Sequence, residues 1–317
     1  MILLSDQHID ISIVIPMLNE EESIPELYER ICRMAVVVGE VEIIFVDDGS
    51  SDRSAVLVQL LHQEDARVKL IQFRKNYGKA AALAAGFHKA SGDFVFTMDA
   101  DLQDDPDEIP ALLNKLKEGY DLVSGWKRVR RDPWTKRFVS KIYNRFTSLF
   151  SGLNLHDFNC GLKGYRREVV KSFNIYGELH RYLPVIAHRN GFRVTEIPVK
   201  HHARKFGRTK YGIARFSRGA FDLLTITFLT KYKKRPLHLF GTWGLLSTLF
   251  GVVILVVLAV QKILFNAHLS RRPLLFLGLL MVIVGVQFFS IGLLGEMITE
   301  ARAESDTYQI KSLVGWE

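Results

Sequence analysis

Two stretches of this chain contain no Asp, Glu, Lys or Arg: Leu237 to Gln261 and Leu274 to Gly295. At a rise of about 1.5 Å per residue, a helix over either stretch crosses a hydrocarbon core of about 30 Å. Two such runs in tandem predict a transmembrane hairpin rather than two helices of a soluble core. Residues 1–230 have ordinary globular composition, so the chain reads as a soluble domain tethered by a C-terminal helical hairpin. Met1-Ile2-Leu3-Leu4-Ser5-Asp6 is too short to be the apolar region of a signal peptide. Insertion is therefore expected to rely on the late spans, leaving the large domain on the cytoplasmic side of the inner (plasma) membrane. Lys231, Lys233, Lys234 and Arg235 precede the first span as a cytoplasmic flank should, whereas Lys262, Arg271 and Arg272 between the spans argue the other way. Cys32 and Cys160 are too few and too far apart for a disulfide framework or a zinc site, and both are expected to be reduced.

Before the hairpin, strand-like runs alternate with helix-like ones. Ile11 to Pro16 is followed by a helix over Glu20 to Met34, and Val41 to Val46 by a helix carrying Ala55 to Leu61, which Ser51 or Asp52 can cap. Val68 to Phe73 leads into an alanine-rich helix, Ala80 to Lys89. Asp93 to Met98 is a fourth strand, and Asp121 to Trp126 a fifth after a helix that begins near Pro106. This alternation predicts βαβ units and an α/β, mostly parallel sheet. Open sheets of that kind bind ligands beyond the carboxyl ends of their strands. Asn19, Asp47, Asp48, Arg74, Lys79, Asp99 and Asp101 all fall at those ends, on one rim. No Gly-x-Gly-x-x-Gly follows any strand, which disfavours a classical dinucleotide site.

The fourth strand stops abruptly at Asp99-Ala100-Asp101-Leu102-Gln103-Asp104-Asp105. Carboxylates this close repel each other and lose solvation at the mouth of a packed sheet. A hard divalent cation removes that penalty, and Mg²⁺ typically takes one or two carboxylates plus substrate phosphates. An acidic solvated loop is the alternative. Much of the formal charge of +8 gathers between Lys200 and Tyr232, where Arg204, Lys205, Arg208, Lys210, Arg215 and Arg218 alternate with apolar residues. With two spans close behind, this stretch reads as interfacial helices against anionic headgroups rather than as a nucleic-acid-binding segment.

Three blocks, Ile13-Val14-Ile15-Pro16-Met17-Leu18-Asn19-Glu20-Glu21, Val46-Asp47-Asp48-Gly49-Ser50-Ser51-Asp52 and Met98-Asp99-Ala100-Asp101-Leu102-Gln103-Asp104, resemble the signatures of family 2 glycosyltransferases with a GT-A fold. The chain is most similar to the polyisoprenyl-phosphate glycosyltransferases, the branch that contains dolichol-phosphate mannose synthase. Arg74-Lys75-Asn76-Tyr77-Gly78-Lys79, Asp157-Phe158-Asn159-Cys160-Gly161-Leu162-Lys163-Gly164-Tyr165 and the two-span tail favour the bacterial polyprenyl-phosphate glucosyltransferases within it. The resemblance implies that Asp99, Asp101 and Gln103 hold Mg²⁺ or Mn²⁺ and, through it, the donor pyrophosphate. Pro16, Asn19, Glu21 and Asp48 would line the nucleotide pocket, with Lys79 and Asp99 also on the donor. Arg128 and Arg131 would face phosphate groups, and Arg204 and Lys210 would help to hold the lipid phosphate. Asp157 is the candidate to remove the acceptor's last proton and align it, or else it caps its own loop.

The activity so implied is inverting transfer of one sugar, with UDP-glucose favoured as donor, to the phosphate of a polyprenol such as undecaprenyl phosphate. That phosphate is already anionic near neutral pH, its second pKa being about 6, so a strong general base is less necessary than for an alcohol. Two rival readings stay open: a processive polysaccharide synthase and a non-catalytic nucleotide-sugar-binding membrane scaffold. Absence of the Gln-x-x-Arg-Trp motif of processive synthases and the presence of only two spans weigh against the first. The expected organisation is a GT-A catalytic domain over 1–204, interfacial helices over 205–235, two transmembrane helices over 236–300 and a cytoplasmic tail over 301–317. Glycine and serine in both spans permit close helix packing and hence a homo-oligomer.

Overall fold

A computed structural model of the chain describes residues 9–127, 144–145, 147–148, 151–173, 175, 179–203, 205, 236–265 and 273–302. The chain divides into two compact units, Met1–Asp222 and Leu223–Glu317. In the first, the strands are β1 (Ile11–Met17), β2 (Val41–Asp47), β3 (Val68–Gln72), β4 (Phe94–Thr97), β5 (Leu122–Lys127), β6 (Lys163–Arg166) and β7 (Val194–Val199). The helices of this unit are α1 (Ile24–Val38), α2 (Ser54–Glu64), α3 (Lys79–Lys89), α4 (Ile109–Lys117), α5 (Arg167–Lys171) and α6 (Leu183–Arg189). A single 3₁₀ turn, Pro106–Glu108, precedes α4.

One seven-stranded sheet has the order β3-β2-β1-β4-β6-β5-β7. Its strands are parallel except β6, which runs antiparallel to both β4 and β5. β1 and β2 are buried on both faces, which is why they read as near-continuous apolar runs. Alternate residues go to opposite sides: Ile11, Ile13, Ile15, Ile43 and Phe45 pack with Leu27 and Ile31 of α1 and Leu112 and Leu116 of α4. Val14, Ile44, Val46 and Val95 pack with Ala80, Leu83 and Phe87 of α3. The chain steps from β1 outward to β2 and β3, then returns to lay β4 on the other side of β1. This reversal makes the carboxyl ends of β1 and β4 the topological switch point, where open α/β sheets form their crevice.

The antiparallel β6 and the outermost β7 add strands that the alternation of runs did not reveal. β6 is only Lys163–Arg166, and its register pairs Thr97 with Lys163. That pairing brings the start of β6 beside the end of β4.

The second unit contains α7 (Pro236–Phe265) and α8 (Pro273–Arg302). Only 17% and 11% of their most apolar windows is buried, whereas the core helices of a soluble protein would be mostly buried. Uncovered Trp243, Leu249, Phe250, Phe276 and Ile283 fit a hydrocarbon surrounding. The two helices approach closely at small residues: a Cβ on Gly244 would lie 2.6 Å from the Gly285 carbonyl, and one on Gly251 2.7 Å from that of Gly278. Ser247 Oγ donates to the Met281 carbonyl at 2.8 Å. Small residues that could have served packing between copies are thus used between the two helices of one chain.

Candidate active site

At the carboxyl ends of β1 and β2 the two following loops are stitched together. Asn19, at φ 52°, donates its backbone N–H to Ser50 Oγ at 2.9 Å and accepts the Ser51 N–H on Oδ1 at 2.8 Å. Glu20 N donates to Ser54 Oγ at 2.8 Å, and Glu21 Oε2 accepts from Arg53 N at 2.9 Å. Asp52 takes Glu21 N on one oxygen and Ser54 N on the other. The N-cap of α2 is Arg53, so neither Ser51 nor Asp52 holds the cap position expected for it. Asp52 nonetheless supports the first turn from one residue earlier, while Ser51 is occupied with Asn19.

Asp47 and Asp48 are both buried. Asp48 accepts the N–H groups of Tyr77 at 2.7 Å and Gly78 at 2.9 Å, so it fixes the loop that leads into α3. Lys79, the first residue of α3, forms an ion pair with Asp99. Burial pushes the Asp99 carboxyl up, but the charges of Lys79, Lys127 and Lys163 more than offset it and hold the group down at about 2. Asp99 is therefore ionised throughout the neutral range.

Beyond Asp99 the loop turns through Leu102 at φ 60°. Asp101 is buried, and its Oδ1 accepts from Gln103 N at 3.2 Å. Asp104, 1% exposed, lies against the Asp99 N–H at 3.3 Å and pairs with Lys127 Nζ at 3.2 Å. The segment after β7 clamps this loop: His202 N donates to the Gln103 carbonyl at 2.9 Å, and the His202 ring meets Asp105 Oδ2 at 2.9 Å.

A second loop, 156–161, closes over the end of β4. Glu196 of β7 accepts the His156 N–H at 2.8 Å, and the His156 ring stacks on Trp126 with centroids 4.2 Å apart. Thr97 Oγ1 donates to the Gly161 carbonyl at 2.9 Å. Asp157 is buried and its Oδ1 accepts from Asn159 N at 3.1 Å, an Asx turn inside the loop. Burial pushes the Cys160 thiol up to about 12, so it stays protonated. Gly161 has no room for a side chain. A Cβ there would sit 2.5 Å from Asp104 Oδ2 and 2.8 Å from Asp99 Oδ2.

The Asp99 and Asp104 carboxylates thus converge on the Gly161 backbone at the rim. Among the described residues no group of three or more His, Cys, Asp or Glu side chains is spaced to hold a metal ion alone. Mg²⁺ or Mn²⁺ sites of this kind use two carboxylates completed by diphosphate oxygens and water, and the turn after β4 carries two carboxylates, Asp99 and Asp101, one residue apart. Arg128, Arg131, Arg204 and Lys210 lie outside the described residues, as do residues 206–235 of the expected interfacial segment and the tail beyond 302.

A sheet with this switch point, carrying an acidic turn after β4, defines a nucleotide-sugar transferase fold of the GT-A type. The description "Glycosyl transferase family 2" matches residues 12–173. A dodecaprenyl-phosphate galacturonate synthase of Rhizobium johnstonii is 35% identical over 306 residues, covering 95% of this chain and 90% of that protein. The chain belongs to glycosyltransferase family 2 and stands with its polyprenyl-phosphate members. Solved structures share the fold: mannosyl-3-phosphoglycerate synthase of Rubrobacter xylanophilus has a TM-score of 0.55 at 16% identity, covering 69% of this chain and 74% of that one. Glucosyl-3-phosphoglycerate synthase of Mycobacterium tuberculosis, in complex with phosphoglyceric acid, has 0.53 at 20%, covering 69% and 79%.

Sequence reasoning singled out Pro16, Lys79 and Asp99, and the structure places all three in the lining of one small cavity. It missed Asp104, Lys127, Lys163 and His180. The first three sit inside or beside the motifs already singled out, but their burial and pairing depend on contacts between distant strands. His180, in the turn before α6, has no motif around it.

Proposed function

We propose that this enzyme transfers a single sugar, with inversion, from a nucleoside diphosphate donor to the phosphate of a polyprenol. What carries the reading is the ionised Asp99 beside Asp101 at the β1/β4 switch point, in a family 2 chain that ends in an apolar hairpin. Asp99, Asp101 and Gln103 would hold Mg²⁺ or Mn²⁺, which supplies charge neutralisation for the departing diphosphate. The mycobacterial synthase is itself solved with Mn²⁺ and UDP. Pro16, Asn19, Glu21 and Asp48 would shape the nucleotide pocket, the last three largely through the loop bonds described above. Lys79 would turn from Asp99 to a donor phosphate. Arg128, Arg131, Arg204 and Lys210 would bind phosphates of donor and lipid.

The acceptor needs alignment more than deprotonation, because a phosphate monoester is anionic near neutral pH. Asp157 would serve that alignment by fixing loop 156–161, with proton removal as its alternative role. The hairpin would set the domain at the cytoplasmic face of the inner membrane, where the acceptor's phosphate lies. Any association of copies must use faces of the hairpin other than its glycine seam. For the sugar, two classes compete: glucose, favoured by the sequence motifs, and a hexuronic acid, as in the name of the rhizobial relative.

The test is incubation of purified full-length protein with undecaprenyl phosphate, Mg²⁺ or Mn²⁺ and single donors, with mass spectrometry of the lipid. One added sugar residue per lipid is expected. Longer products would establish a processive synthase, and donor binding without any lipid product would favour a scaffold.

A further inference from the structure

The cavity at the switch point has a volume of about 20 Å³ and is lined by Pro16, Lys79, Asp99, Lys163, Tyr165 and His180, among others. Lys163 enters it from the first position of β6, opposite Thr97 and so two residues short of Asp99. Its side chain is buried at 4% exposure. Its ammonium donates to the Cys160 carbonyl and forms no ion pair with a carboxylate among the described residues. An ammonium carries three donors, and a buried charge is ordinarily paired. His180 also faces this space, and its Nδ1 is buried with no hydrogen-bond partner among the described residues. Of the charged groups in the lining, Lys79 and Asp99 form an ion pair with each other, and Lys163 feels the Asp99 and Asp157 carboxylates without an ion pair to either.

We infer that Lys163 and His180 form a subsite for a carboxylate on the donor sugar, so that the group transferred is a hexuronic acid rather than a neutral hexose. The inference rests on the reading of the β4 rim as a nucleotide-sugar site. Charge is the first reason: a hydroxymethyl group or a water would leave the buried Lys163 without a direct ion pair, whereas a carboxylate pairs with it and offers oxygens to both side chains. Size is the second. One water needs about 10–15 Å³ by this measure, so the cavity admits one or two such atoms. The two oxygens of a planar carboxylate match that space. Position is the third, because the cavity is continuous with Lys79 and Asp99, where the donor diphosphate would lie. Burial also pushes the Lys163 ammonium's pKa down, a shift that a bound carboxylate would oppose. Burial, with the charges of Lys79, Arg181 and Lys163, pushes His180 down to about 3, leaving a neutral ring that can present an N–H to a carboxylate.

The deciding experiment uses the full-length protein with Mn²⁺ and undecaprenyl phosphate. Lipid product is measured with UDP-glucuronic acid, UDP-galacturonic acid, UDP-glucose, UDP-galactose and UDP-N-acetylglucosamine. One uronic acid donor is expected to exceed its neutral counterpart in kcat/KM by at least about 100-fold. Lys163→Gln is expected to lower that ratio by about 10- to 100-fold, and His180→Gln to lower it less, with Mn²⁺-dependent UDP binding as the control for folding. A wild-type enzyme that prefers a neutral sugar overturns the inference while leaving the transferase reading intact. No transfer from any of the five donors overturns both. If Lys163→Gln instead raises KM for undecaprenyl phosphate and leaves the donor ratio unchanged, the subsite reads the acceptor and the inference fails. The wild-type ratio decides by itself if neither variant folds.

Discussion

Gly161→Ala should damage catalysis without unfolding the protein. The new Cβ would lie 2.5 Å from Asp104 Oδ2 and 2.8 Å from Asp99 Oδ2, where ordinary contact begins at 3.4 Å. The two carboxylates must therefore withdraw by about 0.9 and 0.6 Å. Both are ends of side chains, so they can rotate away, and Lys79 and Lys127 can follow them. The cost to folding should then be at or below about 1 kcal/mol, the low end for an added methyl group in a packed site. The cost to the reaction is larger. Mg²⁺ demands near-ideal ligand geometry, and misplacement of reacting groups by about 1 Å costs about 100-fold in rate, or about 2.7 kcal/mol. The assay is kcat/KM for lipid product across a Mn²⁺ titration, with thermal melting alongside. We expect kcat/KM to fall by about 100-fold, the Mn²⁺ requirement to rise, and Tm to change by a few degrees at most. Activity within about threefold of wild type at an unchanged Tm would show that the Asp99 and Asp104 carboxylates are not held against the Gly161 backbone during turnover.

Asp101→Ala should leave the fold intact and abolish transfer, and near-wild-type, metal-independent activity in that variant would end the divalent-cation proposal. Asp157→Asn should keep donor binding, because the amide oxygen can still accept from Asn159 N, yet lose most turnover if the carboxylate takes a proton; wild-type turnover would leave only its loop-fixing role. Glu42→Gln tests the opposite rim, where the buried carboxylate accepts from Ser12, Ser91 and Lys69. It should cost about 2 kcal/mol, less than a fully buried pair because the Lys69 side chain is 47% exposed. Burial raises the Glu42 pKa, but Lys69, Ser12 and Ser91 more than offset it, so the folded value is lowered from 4.5. This stabilisation is therefore complete above about pH 4.5 and lost as pH falls through the folded value. The Tm gap between Glu42→Gln and wild type should narrow in acid, and a gap that widened there would contradict the sign.

The parts of this protein legible in its sequence are those written locally. β1 and β2 are apolar runs because both faces of a central parallel strand are buried, and the acidic turn after β4 announces itself by its departure from such a run. The hairpin is legible because membrane spanning needs only length and the lack of charge. Composition also indicated that Asp99 and Asp101 have a charge to answer.

What answers it was settled by tertiary structure. Lys79 follows β3 and Lys127 ends β5, and only the crossover to β4 and the antiparallel insertion of β6 bring them onto Asp99 and Asp104. Lys163 is one lysine among many until the Thr97–Lys163 register buries its ammonium beside the site. Periodicity records which face of an element is covered, because covering is repeated along the element. It holds no record of which distant strand does the covering, and the charges at this site are paired, or left unpaired, by that choice of neighbour.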